Sequence, residues 1–363
     1  MSDKAEITEL LSLSARVGRD PLLVQASSGN TSIKLAGTLW IKASGKWLAH
    51  AMNQETLIPI ALTELRDALR SSNEFLGTGA WVNGNYLRAS IETAMHAILP
   101  HRVVIHVHSV NTISWAVRLD GPERLAERLD GLRWSWISYV SSGLPLARMI
   151  EKAIDTVAGA NVFVLANHGL VVCGESCDAA EDLLGVVERR LAAPARTNLD
   201  SDCALLSRAF FSRIDALSRW NLPESEELHV LATDAVSRRI LGGGILYPCQ
   251  AIFLGTKVES MADCEFPPEG MKRFEHERDA PAFRIIEGRG VITSRTLTAS
   301  QRCVLDGLLQ VVQRTDAAAP IRYLSDTEVL ALLNEDAHCY QLCAEDNAVP
   351  RDTAASAWHI PSE

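Results

Sequence analysis

His106 and His108 stand two residues apart in the run R-V-V-I-H-V-H-S-V, whose alternating, β-branched character reads as a strand. Side chains alternate across a strand, so both imidazoles project from one face and Ile105 and Val107 from the other. Two imidazoles side by side suit two ligand positions on Zn²⁺ or a similar divalent ion. His168 is the third candidate. It follows the apolar run V-F-V-L and precedes Gly169, at a strand end, where sheet-based sites gather their polar groups. The same spacing also fits half-buried, hydrogen-bonded histidines, and spacing alone does not decide between the two. Glu92 lies in I-E-T-A-M-H-A-I-L, at i,i+4 from His96 on one helix face. A carboxylate beside a metal can ligate it or carry protons, whereas a Glu in a first helical turn is also favoured by the helix dipole. His96 reads as a buried hydrogen-bonding partner and His101 as exposed.

Two small-residue loops have the make-up of anion nests, with backbone N–H groups and hydroxyls side by side. One is Ser27-Ser28-Gly29-Asn30-Thr31-Ser32 and the other Lys42-Ala43-Ser44-Gly45-Lys46. Such turns are also ordinary hairpin chemistry.

The elements that must position these residues follow from periodicity and breakers. Residues 4–17 read as an amphipathic helix broken at Asp20-Pro21, and T-S-I-K-L and T-L-W-I-K as a strand pair. Residues 60–75 and 88–100 read as helices, the second stopped by Pro100. Residues 110–129 read as helix and loop, S-W-I-S-Y-V as a strand, and L-P-L-A-R-M-I-E-K-A-I-D-T-V as a helix. N-V-F-V-L-A-N-H-G-L-V-V-C-G reads as strand–turn–strand, with Gly169 turning the chain, and a helix then ends near Pro194. After a further helix over 201–219 the character changes near 220–228. The pieces 242–255, 282–294, 299–314 and 326–342 read as a small α+β unit, with Gly242-Gly243-Gly244 opening a strand. No G-x-G-x-x-G leads from a strand into a helix, which excludes a dinucleotide fold.

Composition bounds the rest. The chain has 363 residues, 47% hydrophobic and 22% charged, enough for two domains with sizeable cores. A net charge of −10 with no basic run excludes general nucleic-acid binding. The N-terminal stretch is charged and amphipathic, unlike a signal peptide, and no apolar run approaches a membrane span. Eight cysteines without a C-x-x-C read as free thiols in a cytoplasmic protein; Cys173/Cys177 and Cys339/Cys343, four apart, are weak zinc candidates.

Four blocks in order, S-G-N-T-S (28–32), K-A-S-G (42–45), S-I-E-T-A-M-H (90–96) leading to H-V-H-S (106–109), and N-H-G-L (167–170), resemble the class II aldolase/adducin family. The resemblance covers residues 5–215. It implies a three-layer α/β/α catalytic domain, taken as 1–220, followed by a smaller α+β domain at 221–363. It implies Zn²⁺ or another divalent transition metal on His106, His108 and His168, Glu92 as the acid–base residue, and Gly29, Asn30, Ser44, Gly45 and Ser90 as the substrate-anion loops. Tyr139, in S-Y-V-S-S-G, resembles the family's proton-donating Tyr supplied across a subunit interface; a strand-edge Tyr packing with Trp134 and Trp136 fits equally well. Ile91 stands where the family pattern has a second Ser, which alters the anion pocket. The blocks look most like the long subgroup related to rhamnulose-phosphate aldolase/dehydrogenase fusions, and Y-P-C-Q-A-I-F-L-G resembles their connecting region, with the dehydrogenase half expected to be absent.

The activity so implied is metal-assisted retro-aldol cleavage of a ketose or ketose phosphate through a stabilised enediolate. Epimerisation or dehydration on the same site, or a non-catalytic adducin-like scaffold, are the alternatives. The expected partners are a small sugar or sugar phosphate and further copies of the chain, as a homo-oligomer such as a tetramer, with no nucleic acid or membrane.

Overall fold

The computed structural model describes residues 3–71, 79–82, 85–196, 220–261 and 281–335. The first part contains α1 (Asp3–Arg19), β1 (Asn30–Leu35), β2 (Thr38–Lys42), β3 (Leu57–Ala61), α2 (Leu62–Arg70), β4 (Gly79–Val82), β5 (Asn85–Arg88) and α3 (Thr93–Ile98). It continues with β6 (Val103–Val107), α4 (Val110–Ala116), α5 (Gly121–Arg128), β7 (Trp134–Ile137), α6 (Leu144–Thr156), β8 (Val162–Leu165), β9 (Gly169–Gly174) and α7 (Cys177–Leu191). Seven strands form one sheet in the order β3-β2-β1-β6-β9-β8-β7, while β4 and β5 pair separately. Every pairing in the large sheet is antiparallel except β7–β8, which α6 joins as a parallel crossover requires.

The alternation of β6 sets the layers. Val103, Ile105 and Val107 enter a core with Leu10 and Leu13 of α1 and Ala180 and Leu184 of α7. Val104 points the other way, into a core with Met95 of α3 and Ile150 of α6. Helices thus cover both faces of the sheet, giving the three-layer α/β architecture. His106, on the face of Val104, looks toward α3 and is fully buried.

A second, smaller unit has β10 (Trp220–Asn221), α8 (Val230–Thr233), α9 (Ala235–Gly242), α10 (Pro248–Leu254), β11 (Glu259–Met261), β12 (Phe283–Ile286), β13 (Gly290–Ser294), α11 (Ala299–Arg314) and α12 (Asp326–Glu335). Its four strands run β10-β13-β12-β11. Its core is continuous with the first part: Val304, Leu308 and Val311 of α11 share a cluster with Val110, Ile113 and Val117 of α4. No helix among the described residues is long and apolar enough to cross a membrane.

Several expectations need correction. The helix expected over 88–100 shrinks to α3, because Arg88 ends β5, Ala89 bridges Ala43, and Glu92 becomes the residue preceding the helix. A backbone committed to these strand-like pairings has no helical ladder to give. The turn before β9 is made by Asn167 at φ +52°, not by Gly169. Gly242 closes α9 and opens no strand, and Pro248-Cys249-Gln250 starts a helix, since Pro is suited to a first turn. His101 is half-buried, its carbonyl accepting from Lys34 Nζ at 2.7 Å. Cys173 and Cys177 lie in separate cores, so they form no pair. The expected helix over 201–219 and Cys339/Cys343 lie outside the described residues.

Two strands carry inward-set lysines, Lys34 half-buried and Lys42 buried. Burial brings Lys34 down to about 8 and Lys42 to about 7, from 10.5. Between the folded value and 10.5 the unfolded chain binds protons that the folded chain does not, so these groups make stability rise with pH. Below about 7 both states are charged and the dependence vanishes. The gain in urea midpoint between about pH 7 and about pH 9 is therefore expected to be smaller in Lys34→Met than in the unsubstituted protein.

Candidate metal centre

The site is built around the end of β6. Ser109 Oγ accepts from Thr112 N at 3.0 Å and caps α4, so the strand ends at Val107 and His108 stands at the junction. The chains on either side approach β6 through glycines. A Cβ on Gly29, which has φ +64°, would lie 2.7 Å from the His106 carbonyl oxygen, and a Cβ on Gly169 would lie 2.4 Å from that of Val107. Either contact would push a neighbour off the strand. With glycine at both positions, Asn30 pairs opposite His106 in register and His168 arrives from the other side.

His106 Nε2 lies 3.2 Å from His108 Nε2. The three ring centroids are 5.0, 5.0 and 4.9 Å apart and set edge to face. One ligand atom from each of His106, His108 and His168 falls within 4.8 Å of the others, and all three side chains are buried. Two of the outer nitrogens have partners of their own. His106 Nδ1 donates to the Leu170 carbonyl at 3.0 Å, since a carbonyl only accepts, and this leaves an Nε2 lone pair facing its neighbours. His108 Nδ1 stands 3.3 Å from Cys249 Sγ. Buried nitrogen lone pairs gathered at this distance need a proton or a cation between them. The donor set, three imidazoles of which His106 and His108 have outer nitrogens oriented by other groups, fits a divalent transition metal.

Glu92 Oε1 lies 3.2 Å from both His106 Nε2 and His168 Nε2. Burial pushes the carboxyl up, but His106 and His168 outweigh it and hold Glu92 well below the usual carboxylate range. Its other oxygen accepts from Asn30 Nδ2 at 2.7 Å. Asn30 in turn receives His96 Nε2–H on Oδ1, and His96 Nδ1 takes the Ser32 hydroxyl at 2.6 Å. Burial, with the nearby His106, keeps His96 far below the ordinary imidazole range, hence neutral. The chain Ser32–His96–Asn30–Glu92 fixes the carboxylate.

Gly29, Asn30, Ser44, Ser90, Glu92, His108 and His168 line one cavity of about 740 Å³, its open mouth included, while His106 lies beneath them. Ile91 lines it where the family pattern has Ser. Gly45 turns its loop at φ +72° and is not on the wall. Lys42 Nζ ties the two loops together, donating to Ser27 O at 2.8 Å and Lys46 O at 2.6 Å. Tyr139 is not part of the wall; Ser141 and Ser142 are. The Tyr139 ring lies under Arg322 at 5.0 Å and packs on Ile245, Ala251, Leu324 and Val329 of the second unit.

Sequence reasoning missed what the second unit contributes. Cys249, Ile252 and Phe253 of α10 and Leu332 of α12 close the cavity. The i, i+3, i+4 spacing of the first three, after a Pro suited to a helix start, was the available signal. Asn167 pins this unit in place. Its Nδ2 donates to the Leu246 and Arg322 carbonyls, each at 2.8 Å, and its Oδ1 accepts from Arg322 Nη1 at 2.9 Å. Gly169→Ala is expected to destabilise the fold by about 1–3 kcal/mol and to weaken metal retention against a chelator. Gly242→Ala, where nothing lies within 4 Å, is the control and changes neither urea midpoint nor retention.

Residues 8–193 match the model of the class II aldolase and adducin N-terminal domain. The chain is 28% identical over 188 residues to the uncharacterized oxidoreductase YuxG of Bacillus subtilis (strain 168), covering 47% of this chain and 27% of that relative. The chain thus spans about a quarter of the length of that relative. Among solved structures it is similar to the N-terminal class II aldolase domain of a conserved Thermoplasma acidophilum protein, with 24% identity, 53% of this chain, 94% of that chain and a TM-score of 0.43. It is also similar to the L-fuculose-1-phosphate aldolase of Thermus thermophilus, with 20% identity, 51% of this chain, 92% of that chain and a TM-score of 0.37. With its histidines and Glu92 inside the matched half, the chain belongs to the class II aldolase and adducin N-terminal domain family.

Proposed function

We propose that the protein is a metal-dependent lyase that cleaves a carbon–carbon bond in a small hydroxycarbonyl compound of the ketose type. The supporting observation is Glu92, a buried carboxylate held 3.2 Å from two imidazole nitrogens in a cavity. A divalent ion on His106, His108 and His168 would supply Lewis-acid polarisation of a carbonyl oxygen.

The chain's own groups do the rest. Asn30 occupies one oxygen of Glu92 and leaves the other facing the reacting region. Glu92 returns a proton to the carbon that has lost its aldehyde, or removes it in the condensation direction. Ser44, Ser90 and the backbone at Gly29 receive the polar end of the substrate. Residues 1–220 carry the chemistry in this assignment, and α10 and α12 of the second unit close the pocket and exclude water. Tyr139, its ring gripped beneath Arg322, is offered to the pocket of a second copy, where it takes the proton of the hydroxyl that becomes the aldehyde on cleavage and returns it in the condensation direction.

Glu92→Gln is expected to lower aldehyde release from a panel of ketoses and ketose phosphates by about 10²–10⁴-fold, with metal content unchanged. An unaltered rate would remove Glu92 from the mechanism. Tyr139→Phe keeps the ring and its packing and removes only the hydroxyl. A loss of about 10²-fold or more is expected, and an unchanged rate would leave Tyr139 with packing alone.

A further inference from the structure

The cavity has two chemically different sides. The side built from the family-matched half carries hydroxyls and an amide: Ser27, Ser28, Asn30, Ser44, Ser90. The side built from the second unit carries Ile252, Phe253, Ala331 and Leu332, with Cys249 and Pro248 at the end of α10 nearest the histidines. Ile91 extends the apolar surface across to the first half. The one cationic side chain on the wall among the described residues is Lys42, and two of its N–H groups are spent on the Ser27 and Lys46 carbonyls.

The apolar side is firmly placed. Phe253 is 3% exposed and Ile252 7%, in the core cluster that α10 and α11 share. Gln301 Nε2 donates to the Phe253 carbonyl at 3.0 Å, and Asn167 holds the Leu246 carbonyl two residues before α10 begins. A polyhydroxylated chain laid against Ile252, Phe253 and Leu332 would lose water from each hydroxyl and find no partner there. A hydrocarbon chain would gain on every methylene buried.

Resting on the metal-dependent lyase assignment above, we propose that the second unit sets substrate specificity in cis. The substrate is a hydroxycarbonyl compound whose chelating head lies at the histidines and whose far end is a hydrocarbon, aliphatic or aromatic. The aldehyde released on that side is then a hydrocarbon aldehyde rather than a polyhydroxylated one. The residues responsible lie outside the matched span 8–193, so the preference belongs to this chain's own second unit.

The test is the binding of a hydroxamate series to the full-length, zinc-loaded protein by calorimetry. The hydroxamate is a common metal-chelating head and only the tail varies, so binding is read without turnover. Affinity is expected to rise about threefold to fourfold per methylene from acetohydroxamate to hexanohydroxamate. Gluconohydroxamate, of the same length but hydroxylated, is expected to bind no better than acetohydroxamate. Leu332→Asn, a change at a half-buried position, is expected to reduce the hexano-to-aceto affinity ratio several-fold. Equal affinities along the series, or tighter binding of gluconohydroxamate, would overturn the apolar specificity while leaving the lyase assignment standing. Failure of acetohydroxamate itself to bind would overturn both. An unchanged ratio in Leu332→Asn and in a second variant, Ile252→Ser, would remove the second unit as its source.

Discussion

Three imidazole nitrogens and a carboxylate oxygen converge within a few ångströms at the buried floor of a cavity. Such a group is unfavourable by itself. Lone pairs of His106 and His108 face each other across 3.2 Å, and the negative charge of Glu92 is desolvated beside them. A divalent cation would convert each of these costs into an attraction, as a proton on an imidazole does for Glu92 alone. Lys42 is the nearest candidate, but its ammonium is engaged with two carbonyls and burial lowers its pKa to about 7.

Much of the fold can be understood as the means of holding this cluster. Two glycines let the neighbouring chains close on β6, one bringing Asn30 and the other His168. The alternation of the strand aims His106 at the helix layer where Glu92 waits. His96, neutral and buried, locks the Asn30 amide so that its nitrogen donates to the carboxylate and to Ser90 Oγ. On the opposite side Cys249 orients His108 from the second unit, and Asn167, next to His168, anchors that unit to the loop carrying the ligand. The second unit and the histidine cluster are therefore mechanically connected through residues adjacent to the histidines themselves.

The parts legible in the sequence were local. Two histidines on one strand face need only a period of two, and the ordered blocks supplied His168 and Glu92. The α/β/α layering came with the resemblance those blocks carry. The parts that escaped depend on contacts between distant segments. Gly169 was read as a turn former, yet its value is the 2.4 Å that a Cβ would leave to Val107, which no local pattern encodes. The helix over 88–100 was read too long because its first residues are taken by pairing with β2's continuation at Ala43. Cys249 and Phe253 lie far beyond the last of the four blocks, in a segment whose resemblance said nothing of a site, and the packing of α11 on α4 with the Asn167 hydrogen bonds brings α10 to the cavity.

The central claim is a centre of three imidazoles with Cys249 bracing one of them from outside. X-ray absorption at the zinc K-edge, on full-length protein loaded with one equivalent of Zn²⁺ and dialysed, tests it most directly. The account predicts retained zinc with nitrogen or oxygen neighbours at about 2.0–2.1 Å, imidazole multiple scattering from three rings, and no sulfur shell. Loss of the zinc on dialysis, or a sulfur neighbour at about 2.3 Å, would contradict it.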